Sequence, residues 1–251
     1  MGLERAYLDY IEENARAIGG LAGKRMLEFG DQVLGADLAP ETTGKEYYER
    51  RGVHHTSFDL SGQHGSVRVD LGKPFRNAQW LGAFDIVTNS GTSEHVEPFE
   101  RQYGVFKNAH DSLVRGGIAV HLVPDADELD LHGHWKGHCN YYYTHDFFET
   151  LAKLNASTLM SSVVINGLRC VCIRKDEDVA FTADKQAILS RIAVRREFGA
   201  FAYAGINNHI LMRPVDRMLR PLYALTRPIR LKLGLSRDSV TGALFGRRKG
   251  G

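Results

Sequence analysis

From residue 20 onward, short apolar runs ending in glycine or a polar residue alternate with stretches whose apolar residues recur at helical spacing. The runs predict strands over 25–30, 54–60, 66–71, 84–89, 117–123, 161–166 and 168–175. The helical spacing predicts helices over 3–18, 44–51, 98–115, 145–155, 182–198 and 206–233, the last interrupted by Pro214, Pro221 and Pro228. Strand–helix alternation points to βαβ units and a mostly parallel sheet. Asn166-Gly167 lies between the last two strands and is a strong hairpin signal, so the final strand is expected to run antiparallel to its neighbour. The fold class that follows is α/β, with a mixed seven-stranded sheet, an antiparallel last strand and helices on both faces. A helical C-terminal extension is added to it.

A change of character near residue 180 divides the chain into an expected core of 1–180 and a basic extension of 181–251. The extension shows no convincing strand. In it Arg213, Arg217, Arg220, Arg227, Arg230 and Lys232 alternate with Val215, Met218, Leu219, Leu222, Tyr223, Leu225, Ile229 and Leu231, and only Asp216 offsets them. Three readings stay open for 206–233, taken in this order: a solvated helical cover, a segment lying on an anionic membrane surface, or a nucleic-acid contact.

Charge adds little at the level of the whole chain. A net charge of +2 on 251 residues defines no strong electrostatic partner. No opening segment has the pattern of a signal peptide, and no run is long and apolar enough to span a bilayer. Cys139, Cys170 and Cys172 are too few and too uneven for a disulfide framework. A cytoplasmic setting is therefore expected, with Cys170 and Cys172 as buried thiols sharing one strand face.

Each strand closes on residues suited to holding a nucleoside: Glu28-Phe29-Gly30, Ser57-Phe58-Asp59, Arg68-Val69-Asp70-Leu71 and Phe84-Asp85-Ile86-Val87-Thr88-Asn89-Ser90-Gly91. A helix then leads through Leu113-Val114-Arg115-Gly116-Gly117 into strand five. In this order and spacing, roughly residues 20 to 175 resemble the class I S-adenosylmethionine-dependent methyltransferases. The resemblance implies a seven-stranded Rossmann-like fold, transferase activity and S-adenosylmethionine as cofactor. It places the cofactor across Glu28, Gly30, Asp31, Asp59, Asp70, Leu71, Asn89 and Ser90.

Chemistry gives several of these positions a reason. Gly30 lets the backbone approach the amino-acid part of the cofactor. The Asp59 carboxylate can accept from both ribose hydroxyls, although Asp also favours strand-end turns. Asp70 can accept from the adenine amino group while Leu71 offers a backbone amide. Glu28 has a second reading, in which it orients the loop by accepting backbone amides.

The segment Asn89-Ser90-Gly91-Thr92-Ser93-Glu94-His95-Val96 is the sharpest local signal. The fold turns this strand edge toward the donor methyl group. His95, with Glu94 beside it, is the candidate base for an acceptor hydroxyl. The competing reading has Ser93 capping the next helix and His95 merely packing. His121 and His138 are the next candidates for the base.

His132, His134, His138, Cys139 and His145 are dense but match no zinc spacing, so no metal is expected. Trp135, His138 and Tyr142, with Tyr141 and Tyr143, read as an aromatic wall for the acceptor, a small molecule or an envelope or lipid-linked glycan. The expected reaction is methylation of a hydroxyl, with peripheral membrane contact through 206–233. The alternative is a scaffold or binding module of the same fold that has lost the cofactor. A nicotinamide dehydrogenase would want Gly-x-Gly-x-x-Gly, which residues 28–35 lack.

Overall fold

The structure, a computed structural model, describes residues 2–35, 38, 40–126, 139–195 and 201–203. Its centre is a seven-stranded sheet. The strands are β1 (Arg25–Phe29), β2 (His54–Asp59), β3 (Val67–Arg68), β4 (Phe84–Ser90), β5 (Leu113–Pro124), β6 (Ser157–Ile165) and β7 (Leu168–Lys175), in the spatial order β3-β2-β1-β4-β5-β7-β6. The first five run parallel, and β7 runs antiparallel to both β5 and β6. Asn166 (φ 49°) and Gly167 (φ 77°) make the tight hairpin that reverses the chain into β7. The expected mixed sheet with a reversed last strand is therefore the observed one.

Successive strand residues feed opposite faces, as the pleat requires. Met26, Ile86, Cys170 and Cys172 pack with Tyr7, Leu8 and Ile11 of helix α1 (Arg5–Ala15) and with Tyr47 and Tyr48 of α2 (Gly44–Glu49). Leu27, Phe29, Val87 and Ala119 pack on the other face with Val105 and Ala109 of α3 (Gln102–Ser112). Val171 and Ile173 meet Phe147, Phe148 and Leu151 of α4 (His145–Leu154). Helix α4 shows how local sequence sets an element. The Thr144 side chain accepts the Phe147 amide as an N-cap, and the four residues Phe147, Phe148, Leu151 and Ala152 form one buried stripe. Cys170 and Cys172 share a face and are fully buried, and burial pushes both thiols up to about 12.

Several boundaries differ from the expectation; the strand expected over 161–166, for example, already begins at Ser157. The third strand shrinks from 66–71 to Val67–Arg68, because the chain turns at once through Asp70, whose carboxylate accepts the Gly72 amide. The helix expected over 98–115 ends at Ser112. Leu113 is already extended and pairs with Phe84, and the Val114–Gly117 stretch lies at an irregularity in the β4–β5 ladder. The helix expected over 182–198 is only α5 (Lys185–Leu189). Beyond it Ala193–Arg195 forms a strand between Tyr141–Tyr142 and Phe201–Tyr203, where no strand was expected. Phe181, Ile188, Leu189 and Ile192 are buried in the α4 cluster, so this segment covers the sheet's flank. The helix expected over 206–233 lies outside the described residues. Among the described residues, no helix is long and apolar enough to cross a membrane.

Candidate active site

A parallel sheet delivers the carboxyl ends of its strands to one edge, and the crevice opens where the strand order reverses, here between β1 and β4. A cleft of about 590 Å³ lies along that edge. It is lined by Gly30, Asp31 and Gln32 after β1, Asp59 and Leu60 at the end of β2, Val69, Asp70 and Leu71 after β3, and Gly91, Thr92, His95 and Val96 after β4, with Glu97 and Arg101 beyond. Its size suits one small-molecule ligand. Gly30, Asp31, Asp59, Asp70, Leu71 and His95, singled out separately in the sequence, are thus brought together.

The polar groups of the cleft have defined partners. Asp59 Oδ1 accepts the Ser61 amide at 2.6 Å, so the residue serves the strand-end turn and still presents a carboxylate to the cleft. Asp70 pairs with Arg101 at 3.0 Å and Lys73 at 3.3 Å. Asp31 is joined to His64 at 2.7 Å, which ties the loop after β1 to the loop after β2. Arg101, Gln32, Thr92 and Glu97 were not anticipated. Gln32 and Thr92 lie in the loops that follow β1 and β4, whereas Glu97 and Arg101 lie further along the chain and are carried to the edge by the fold.

The remaining candidates sit elsewhere. Glu28 does not line the cleft. It points under the sheet, where its carboxylate is 3.4 Å from His55 Nε2 and crowds the first residue of α2, Gly44. Alternation along β1 puts it on the Met26 face, and burial pushes its carboxyl above the ordinary range, partly offset by His55 and the Gln32 amide. Asn89 and Ser90 are also buried. Asn89 Oδ1 accepts the Ser93 amide at 3.0 Å and its Nδ2 donates to Ser93 Oγ at 2.9 Å, so Asn89 caps the Ser93–His95 turn. Ser93 caps no helix, because α3 starts only at Gln102. Tyr142 is fully buried in a small cluster with Cys139 and Ala193, since the short strand it occupies is covered by Ala193–Arg195. Trp135 and His138 lie outside the described residues, as do His132 and His134.

The turn that presents His95 is braced from two sides. Besides Asn89, the buried Gln102 donates through Nε2 to the carbonyls of Ser93 and Val96, at 2.7 and 2.8 Å, and accepts from the Tyr143 hydroxyl at 2.6 Å. His95 itself is half-exposed. Its Nε2 stands 4.0 Å from a carboxylate oxygen of Glu94, which is fully buried with neither oxygen hydrogen-bonded among the described residues. Desolvation pushes the Glu94 carboxyl up to about 8. His121 is excluded as a base at neutral pH: burial pushes its ring down to about 3, and it is engaged with Asn89.

Among solved structures, the chain is similar to 1,6-didemethyltoxoflavin-N1-methyltransferase from Burkholderia thailandensis, solved with 1,6-didemethyltoxoflavin and S-adenosylhomocysteine bound. Identity is 17%, over 69% of this chain and 79% of that one, with a TM-score of 0.46. It is similar to the N-methyltransferase NodS from Bradyrhizobium japonicum WM9 in complex with S-adenosylhomocysteine, at 16% identity over 68% and 86%, TM-score 0.46. A putative S-adenosylmethionine-dependent methyltransferase from Listeria monocytogenes matches at 11% identity over 68% and 99%, TM-score 0.46. No protein-family model and no curated protein matches the sequence.

Proposed function

We propose that the chain is an S-adenosylmethionine-dependent methyltransferase acting on a hydroxyl acceptor. The observation that carries this reading is the single cleft that gathers Gly30, Asp59, Asp70 and His95 at the carboxyl edge of β1, β2, β3 and β4. The residues fit such a cofactor. Gly30, at φ 92°, lets the chain turn sharply at the head of the cleft, Asp59 offers a carboxylate to vicinal hydroxyls, and Leu60, Val69 and Leu71 offer apolar surface to a purine. When bound, the cofactor supplies an electrophilic methyl group on a sulfonium centre. Asp70 has partners of its own in Arg101 and Lys73, so its share in holding the adenine is the least direct.

His95 takes the acceptor's hydroxyl proton on its ring as the oxygen gains the methyl group. Alignment in the cleft supplies part of the rate. The neighbouring Glu94 carboxyl is mostly protonated at neutral pH. Titration calorimetry with S-adenosylmethionine and S-adenosylhomocysteine tests the reading at its root, and a folded protein that binds neither would overturn it.

Asp59 provides a sharper test. Asp59→Ala is expected to weaken S-adenosylmethionine binding by about tenfold or more, because hydrogen bonds to a charged acceptor are worth about 1.5–3 kcal/mol each. Asp59→Asn keeps an oxygen for the Ser61 amide and so separates the turn from the ligand contact. Wild-type affinity in both variants would remove Asp59 from the site.

The acceptor we favour is a sugar hydroxyl on an envelope or lipid-linked glycan, with the enzyme held at the inner face of a membrane through residues 206–233. The support is the sequence of that segment, in which basic residues outnumber acids and alternate with Met, Leu, Tyr and Ile. Each basic residue near an anionic surface contributes about 1 kcal/mol. Co-sedimentation is expected with anionic but not neutral vesicles, fading with salt as the Debye length falls below its physiological value of about 8 Å. Equal, negligible pelleting with both lipids would leave the segment as a cover for its own domain.

A further inference from the structure

Gln32 is a buried side chain on the floor of the cleft, and its orientation is fixed by chemistry. Its Nε2 lies 2.7 Å from the Ser90 carbonyl oxygen and 3.3 Å from Thr92 Oγ1. A carbonyl can only accept, so the amide nitrogen must face β4. The Thr92 hydroxyl donates to the Phe29 carbonyl at 2.8 Å and therefore turns a lone pair toward Gln32, which requires the same orientation. Gln32 donates to Thr92 and Thr92 donates to the Phe29 carbonyl, which leaves the amide oxygen Oε1 without a hydrogen bond among the described residues.

The same contacts explain Gly30. A Cβ at that position would come within 2.3 Å of Thr92 Oγ1 and 2.7 Å of Gln32 Nε2, at a φ of 92° that L side chains rarely adopt. Glycine here makes room for the amide and for the Thr92 hydroxyl. The amide bridges the ends of β1 and β4, which is the crevice at the centre of the sheet edge.

We propose that Gln32 receives the ammonium group of the cofactor's amino-acid end, accepting from it through Oε1. The proposal rests on the reading of the cleft as an S-adenosylmethionine site. An ammonium carries three donors and no acceptor, so it complements an oriented amide oxygen, whereas a carboxylate would be repelled by it. Gln32 therefore sets which end of the amino acid faces the crevice, with the carboxylate turned away from β4. The oxygen is held in place before binding, so little side-chain freedom is lost when the ligand arrives.

Titration calorimetry with three ligands and two proteins decides the matter. The ligands are S-adenosylhomocysteine, its analogue lacking the α-amino group, and 5′-methylthioadenosine, which keeps the nucleoside and lacks the amino acid. The wild type is expected to bind the des-amino analogue about tenfold or more weakly than S-adenosylhomocysteine. Gln32→Met, of similar length and with no acceptor, is expected to lose that discrimination while keeping 5′-methylthioadenosine affinity within about twofold of wild type. Equal loss for all three ligands would make Gln32 a structural plug and overturn the proposal. So would equal wild-type affinity for S-adenosylhomocysteine and its des-amino analogue, a comparison that holds even if Gln32→Met fails to fold. A wild type that binds none of the three would overturn the cofactor reading itself.

Discussion

His95→Ala is expected to lower the methyl-transfer rate by about 10²–10⁴-fold and to leave S-adenosylmethionine affinity within about twofold, because a proton acceptor acts in the transition state. His95 is the titratable ring in the cleft after β4, half-exposed on a turn braced by Asn89 and Gln102. That bracing matters, since a base on a loose turn would rarely be in reach of the acceptor. Formation of S-adenosylhomocysteine across a panel of hydroxyl acceptors gives the rate, and calorimetry gives the affinity. A variant with wild-type turnover at neutral pH would take the role from His95. It would not pass to His121, whose ring burial makes too weakly basic to take a proton there.

Glu94→Gln is expected to flatten the pH dependence of stability. Glu94 titrates at 4.5 when unfolded and near 8 in the fold, where it is wholly buried. Between these values the unfolded state has released the proton that the folded state still holds. Its contribution is therefore fully present below pH 4.5 and is lost as pH rises through about 8. The loss is on the order of a few kcal/mol at the alkaline end, larger than the ~1–3 kcal/mol that an unsatisfied amide costs in its place. Urea unfolding at pH 5 and pH 8 should show the variant more stable than wild type at pH 8, with the advantage gone or reversed at pH 5. Burial shifts Glu28 in the same direction, so some slope remains. Parallel pH dependences in the two proteins would show that Glu94 is not buried in solution.

Both expectations depend on where strands end, and strand ends were legible in the sequence. Apolar runs closed by glycine or acid located Gly30 and Asp59 to within a residue of the observed strand ends, and Asn166-Gly167 gave the reversal of β7. Residues after β5 were harder to place. Tyr142 is as aromatic as any wall residue, but a short strand far along the chain, Ala193–Arg195, covers it. A helical pattern over 182–198 cannot reveal that pairing, because the partner strands lie elsewhere in the sequence.

The sequence by itself determined the sheet and the meeting of Gly30, Asp59, Asp70 and His95. Parallel strands send all their carboxyl ends to one edge, so residues read separately at those ends arrive together. Only the tertiary structure decided which side chains face the cleft. Glu28, one residue from the end of β1, turns under the sheet to His55 and Gly44, Asn89 becomes a cap, and Gln32 crosses from β1 to β4. The strand period fixes that neighbours face oppositely, but what covers each face is set by distant residues. The use of a polar side chain therefore depends on contacts that local pattern does not contain.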